Sequence, residues 1–420
     1  MRISHRLPNF TRTHRGVVVL CVAIFFSLLS QGIITPVLPL FAEDFNDSPF
    51  LVGLAVGIFG FGRVAMGIPS GILAQRHGRR IVLVGGTGLA TIGSIMVPFS
   101  GSLNELMIYR GIAGLGGGAY MVGAAIYLRD VSAPATRARY QSLQEMSVVM
   151  GVIVGPFIGG YLAEWLGIKA PLYAQAATVG VGVLVVQLWL PETQPGTRSS
   201  IPKGGRTPGD SAPAAHRTST LHGLNILLRH PGFVSACLFN LAIVANRQGG
   251  RFAIMPLLGS IKGFGPGQLG VFLTVTHIPQ LMFLPLTAFI SDRFGRVFTV
   301  LPAAASIILG IAIFIYADNI YFLLLSAVFL GMGEGLAGPP PTAYVADAAP
   351  AGIEGITLGL FRTIGGAGFL GGALLFGGLS DLFGFRSALW IDSMIVAVAS
   401  VNFVLVAGTS IGKSRSKPST

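Results

Sequence analysis

The sequence predicts an all-α membrane protein, with twelve transmembrane helices in two parallel-repeat six-helix bundles. Three observations predict it: charge is scarce, long apolar stretches recur, and the chain matches itself at one fixed offset. Of 420 residues, 52% are hydrophobic and 10% are charged, where a soluble domain carries roughly 25% charge. Sixteen acids and 28 bases cannot coat a water-soluble body of this size, which argues against a soluble enzyme. The 59 glycines sit inside apolar runs, where small residues let membrane helices approach closely. Cys21 and Cys237 also fall in apolar runs without metal-ligand spacing and read as buried thiols.

A membrane-spanning helix needs ~20 apolar residues. Stretches of that kind fall at 17–41, 50–73, 81–99, 105–128, 141–163 and 170–190. A second set falls at 232–258, 267–290, 298–316, 320–345, 355–377 and 386–408. The domains expected are therefore a first bundle over 1–190, a polar linker over 191–229 and a second bundle over 230–420. The linker is rich in Pro, Gly, Ser, Thr and Arg and reads as poorly ordered. The first run is too long for a cleaved signal peptide and lacks a small-residue cleavage site.

Orientation follows from the basic residues. With the N-terminus inside, twenty lysines and arginines fall in inner segments and three (Lys169, Lys262 and Arg386) in outer loops. This asymmetry places both termini in the cytoplasm. It also accounts for the net charge of +12 as a cytoplasmic face, so nucleic acid is not an expected partner.

A shift of 217 residues aligns the halves. Gln31 meets Gln248, Arg76, Gly78 and Arg79 meet Arg293, Gly295 and Arg296, and Asp130 meets Asp347. Gly151 and Gly155 meet Gly368 and Gly372. Ordered matches of charged residues make this a unit used twice, a known plan of membrane proteins.

Two short loops carry the most specific motif. Gly71, Gln75, Arg76, Gly78, Arg79 and Arg80 stand between spans two and three. Asp292, Arg293, Gly295 and Arg296 stand between spans eight and nine. Gly78 and Gly295 suit the tight turn between antiparallel helices. The arginines can reach helix C-termini or a neighbouring acid, with Asp130 and Asp347 as the natural acids. This motif resembles that of the major facilitator superfamily. The first copy departs from it, with Gln75 where the family has an acid.

Span one ends Gly32-Ile-Ile-Thr-Pro36-Val-Leu-Pro39, span four opens with Arg110 and Gly111, and span five carries Gly151, Gly155, Pro156, Gly159 and Gly160. Together these resemble the twelve-helix drug/proton antiporter branch. Glycines four apart line one helix face and let a partner dock, while Pro156 removes a hydrogen bond and kinks the helix. Such a helix suits a rocking interface between the halves.

Ionisable residues in a membrane core are costly and usually functional. Arg63, Arg110, Arg247, Arg251 and Arg362 lie within spans, with Glu145, Glu334 and Asp392. The resemblance implies that helices one, four, seven and ten line a central cavity. Gln31, Arg247, Gln248 and Arg251 are then substrate-cavity candidates, and Glu334, Arg110 and Glu145 are proton-coupling candidates. Glu334 lies about 14 residues into span ten, about 20 Å deep. The resemblance also ties the span-four arginine, Arg110 here, to proton coupling. Arg247 and Arg251 share a face near the outer end of span seven and can bind an anion or close a gate against Glu43 and Asp44. Arg63 is expected to pair or snorkel, and Asp392 to be wet near the outer end of span twelve. Glu145 and Arg362 occupy equivalent places in the repeat and are expected to form an inner gate.

The functional expectation is a secondary active transporter that exports small organic or drug-like compounds in exchange for protons. The alternative is a transporter of an anionic organic metabolite, and the remote one a membrane-embedded enzyme. The expected location is the inner membrane, multi-pass, as a monomer, with a small-molecule substrate, protons and lipid as partners. No catalytic set, metal cluster or cofactor site is expected: the glycines from Gly114 to Gly118 lie in an apolar span and lack a phosphate-loop lysine.

Overall fold

Proline and glycine decide where the long helices start, break and turn. The computed structural model describes residues 7–45, 48–132, 136–190, 227–349 and 354–415. Most of the expected linker lies outside these residues, as do the side chains of Gln75 and Arg137. Among the described residues there are helices and turns and no strand.

Helix α1 (Leu7–Ile34) ends where Pro36 removes a donor, and the Thr35 hydroxyl donates to the Gln31 carbonyl at 2.7 Å. The chain resumes as α2 (Leu38–Glu43). The second span breaks at Met66 into α3 (Pro49–Ala65) and α4 (Gly67–His77). Then come α5 (Arg79–Met96), α6 (Leu103–Val131), α7 (Arg137–Leu166) and α8 (Ala170–Trp189). The Ser102 hydroxyl caps α6 by accepting from the Glu105 amide at 3.3 Å.

In the second half α9 (Pro231–Ala245) runs into a π-helical stretch, Asn246–Ile254, and continues as α10 (Met255–Ile261). Next are α11 (Pro266–Phe294), α12 (Val300–Tyr316) and α13 (Ile320–Ala337). After a break at Gly338, before three consecutive prolines, come α14 (Pro339–Asp347), α15 (Glu354–Phe383) and α16 (Phe385–Arg415). Thus four of the expected spans (one, two, seven and ten) are interrupted rather than continuous. Nine helices among the described residues are long and apolar enough to cross a membrane, and Pro49–Ala65 and Val300–Tyr316 are shorter apolar helices. The repeat is visible in the backbone: Gly78 and Gly295 turn with φ of 97° and 108°, and Gly167 and Gly384 with 89° and 80°.

Each half packs on itself, α1 against α7 and α8 in the first and α11 and α12 against α13 in the second. The halves meet through α3 against α15 and α7 against α11. Large apolar side chains such as Leu188, Met282, Phe289, Met394 and Leu405 remain on the outside, as a lipid-facing surface requires.

The close approaches between halves lie toward the face opposite the termini. A Cβ on Gly377 would sit 2.6 Å from the Pro49 carbonyl oxygen, and one on Gly160 would sit 2.5 Å from that of Pro266. The Asp381 carboxylate accepts from the Ser48 hydroxyl at 2.7 Å and from the Phe50 amide at 3.0 Å. Between α3 and α15, close approaches extend as far as Gly366 and Val64. Closer to the termini, Glu145 and Arg362 are exposed and form no ion pair with any described residue. The molecule is shut on the far face and parted on the face that carries the termini.

The glycine motif of span five does not do what its position suggested. Gly151, Gly155 and Gly159 pack on α1 within the same half, facing Leu29, Gly32 and Ile33. Gly160 and the Pro156 carbonyl supply the contact across the halves, against Gly270 of α11. Three glycines spaced by four residues make one face, and Gly160 is rotated about 100° from it.

Candidate functional site

A central cavity of about 300 Å³ lies between the halves. Helix α1 contributes Gln31, α3 contributes Phe59 and Arg63, and α6 contributes Arg110. Across from them stand Arg247, Gln248 and Phe252 of the π-helical stretch, His277 of α11 and Phe369 of α15. Among the described residues no aspartate or glutamate lines this space. Arg110 is 4% exposed and stands 4.8 Å over the Phe59 ring. Arg63, expected to pair or snorkel, turns into the cavity because Gly62 and Gly118 let α3 and α6 lie backbone to backbone around it.

Arg251 departs from its expected place. It does not line the cavity but is 1% exposed and paired, through Nη2, with Oε1 of Glu334. Glu334, 4% exposed, is therefore not a lone carboxyl. It also faces a smaller space of about 100 Å³ shared with Asn240, Arg247 and Gln280. Asp392 departs further, being fully buried rather than wet. The Asn246 side chain donates to its Oδ2 at 2.6 Å. Gly250 makes room for it, since a Cβ there would collide with that oxygen. The wide π turn and the pair Gly249–Gly250 bring the seventh span against α15 and α16. This local geometry gathers Asn246, Arg251, Glu334 and Asp392 into one buried cluster that opens only at Glu334 onto the smaller space, so neither Arg251 nor Asp392 stands at an exposed gate.

Sequence reasoning missed Arg63 as a cavity residue and Asp392 as a buried one. The repeat carried a signal for both. The 217-residue shift pairs Arg63 with Gln280 and Asp392 with Gln175, and Gln175 is itself fully buried.

At the termini-bearing face, Arg79 Nε lies 2.6 Å from Asp130 Oδ2. In the second copy Arg296 lies 3.0 Å from Asp347 and 2.5 Å from Asp292. Partial burial disfavours the Arg296 charge, but hydrogen bonds to Asp347 and Asp292 outweigh it and raise its pKa. Gly71 and Arg76 lie on α4, and Arg293 stands 5.7 Å over the Phe294 ring.

A family profile described as the Major Facilitator Superfamily matches residues 20–265 and 246–420. An uncharacterized MFS-type transporter of Methanocaldococcus jannaschii is 25% identical over 383 residues, covering 89% of this chain and 93% of that relative. The quinolone resistance protein NorA of Staphylococcus aureus is 27% identical over 177 residues, covering 42% of this chain and 45% of NorA. Among solved structures, a bacterial homologue of the human lysosomal transporter Spinster, inward-facing and unoccupied, aligns with TM-score 0.78 at 15% identity, over 97% of this chain and 99% of that one. The nucleoside transporter NupG aligns with TM-score 0.75 at 15% identity, over 93% and 98%. The chain belongs to the Major Facilitator Superfamily and is a multi-pass membrane transporter, not an enzyme.

Proposed function

We propose that this transporter is a proton-coupled antiporter that exports small organic compounds from the cytoplasm by alternating access. Twelve spans form two bundles, 1–190 and 230–420, joined by a cytoplasmic linker at 191–229, with both termini inside an inner membrane and one chain as the working unit. The similarity to a quinolone resistance protein and the glycine and proline motif of span five support export of drug-like compounds.

The observation that carries the reading is the buried cluster. Glu334 is paired with Arg251, and Asp392, held by Asn246 beside Gly250, is the second carboxylate of the cluster; Glu334, Asp392 and Arg251 are 4%, 0% and 1% exposed. Fully ionised, the three groups bear one net negative charge with little water to solvate it. One bound proton neutralises them, and buried charges are strongly disfavoured unless balanced. Glu334 has a route for that proton through the small space beside Asn240 and Gln280. Loading and unloading the proton then biases which face is open.

The test uses Glu334→Gln and Asp392→Asn in proteoliposomes with an imposed pH gradient, screened with drug-like substrates. Each substitution is expected to abolish gradient-driven accumulation while substrate exchange without a gradient continues. Full accumulation in the double variant would refute the assignment.

A further inference from the structure

We propose that the central cavity is a binding site for organic anions, in which Arg63, Arg110 and Arg247 hold the acidic group of an amphipathic substrate. This rests on the reading that the chain moves a small organic compound through this cavity, and it names the class of that compound.

Three other arginines of the helices and inner loops are balanced by acids. Arg79 faces Asp130, Arg296 faces Asp347 and Asp292, and Arg251 is paired with Glu334. Arg63, Arg110 and Arg247 form no ion pair with any described residue. All three line one space that holds no carboxylate among the described residues. Nε and Nη1 of Arg110 and Nε of Arg247 are buried without a hydrogen-bond partner. A cluster of like charges beside apolar walls is costly, and the nearest carboxylate, Glu334, faces Arg247 only across the smaller neighbouring space and is itself paired with Arg251. A ligand that brings a negative charge supplies what the wall lacks.

The chemistry of the donors narrows the ligand. A guanidinium presents a planar fork of N–H groups that matches carboxylate, sulfonate or phosphate oxygens. Phe59, Phe252, Phe369, Leu28, Val56 and Val152 provide an apolar wall, which suits an aromatic or aliphatic body attached to that anion. The arginines also come from both halves, Arg63 and Arg110 from the first and Arg247 from the second. A single anionic group can therefore draw the two halves together, which ties its binding to the conformational change. The pair expected from sequence, Arg247 with Arg251, is replaced by a trio that no sequence spacing connects.

The full-length chain in lipid nanodiscs is titrated with probes sharing one naphthyl body and bearing a carboxylate, a sulfonate, a carboxamide or an amine. Binding is read by calorimetry and by the shift of the thermal unfolding temperature. The carboxylate or sulfonate is expected to bind at least tenfold tighter than the carboxamide. Arg63→Gln, Arg110→Gln and Arg247→Gln are each expected to remove that preference, while Arg293→Gln in the last turn of α11 keeps it. Without ligand, Arg63→Gln and Arg247→Gln are expected to unfold at the wild-type temperature or above, because each removes an unpaired cation. Arg251→Gln is expected to unfold lower, because it strands Glu334. Amine or carboxamide binding as tight as the anions, anion preference surviving in the triple variant, or no anion binding at all would each overturn the proposal. Anion binding without gradient-driven flux would leave the site standing and sink proton coupling. Gradient-driven flux of neutral or cationic compounds, with no anion bound, would do the reverse.

Discussion

At the scale of single residues, the most constrained group is Asp392. One of its oxygens accepts from Asn246 and the other has no partner among the described residues, so Asn246 supplies its one direct hydrogen bond among them. Asn246→Leu removes that donor and leaves a buried carboxylate without one, at a cost of about 1–3 kcal/mol. The variant is expected to unfold at a lower temperature in detergent, and Asn246→Leu combined with Asp392→Asn to recover part of the loss. An unchanged unfolding temperature for Asn246→Leu would mean that the bond contributes nothing. The residues of this cluster were legible in the sequence as ionisable groups in apolar spans, but their partners were not. Glu334 on the tenth span and Arg251 on the seventh are 83 positions apart, and helix rotation, which sets partners at that separation, leaves no trace in local spacing. Depth read from distance along a span also misled for Asp392. A residue two turns from a helix end is wet only if no neighbouring helix covers it, and here the glycines of the π turn let one do so.

At the scale of elements, glycine controls how near two helices come. Helices α1 and α7 touch along Gly32 and Gly155, where a Cβ on Gly155 would lie 2.5 Å from the Gly32 Cα. Gly155→Leu forces α7 away from α1 by more than packing tolerates. The substitution is expected to abolish transport while the protein still inserts in the membrane, read by flux in proteoliposomes beside membrane-fraction yield. Normal flux would show that this contact carries no mechanical load. Proline marks two breaks that the apolar runs concealed: spans one and ten were expected to continue through Pro36 and Pro339–Pro341, and there a missing donor interrupts each helix. The π turn carries no such mark. Asn246–Ile254 holds no proline, and Gly249 and Gly250 read equally as residues of an ordinary close-packed helix, so nothing local marks the wide turn that seats against α15 and α16. The span-five motif shows the same division: its glycine face was readable from spacing, and its partner, α1 rather than the other half, was not.

At the scale of the whole molecule, the observed form is shut where Asp381 holds Ser48 and Phe50 and parted where Glu145 and Arg362 stand exposed. Alternating access requires the opposite form as well, in which the far face parts and the inner ends of α7 and α15 approach. Glu145 and Arg362 are complementary charges at equivalent places in the repeat, and in a partly dry gate their attraction is on the order of 4 kcal/mol before desolvation. The paired variant Glu145→Cys with Arg362→Cys is expected to crosslink when the far face is open and to stay uncrosslinked in the form described here. Absence of a crosslink under every condition would remove the pair from the gate. The chain's own sulfur chemistry suits it to this kind of measurement. Cys21 and Cys237 are its only cysteines, both are free thiols, and both are buried, at 5% and 3% exposure. Bulky maleimides, spin labels and fluorophores will react with them slowly compared with a thiol placed at the rim, so the native chain is already a nearly silent background on which probes of opening can be read one position at a time.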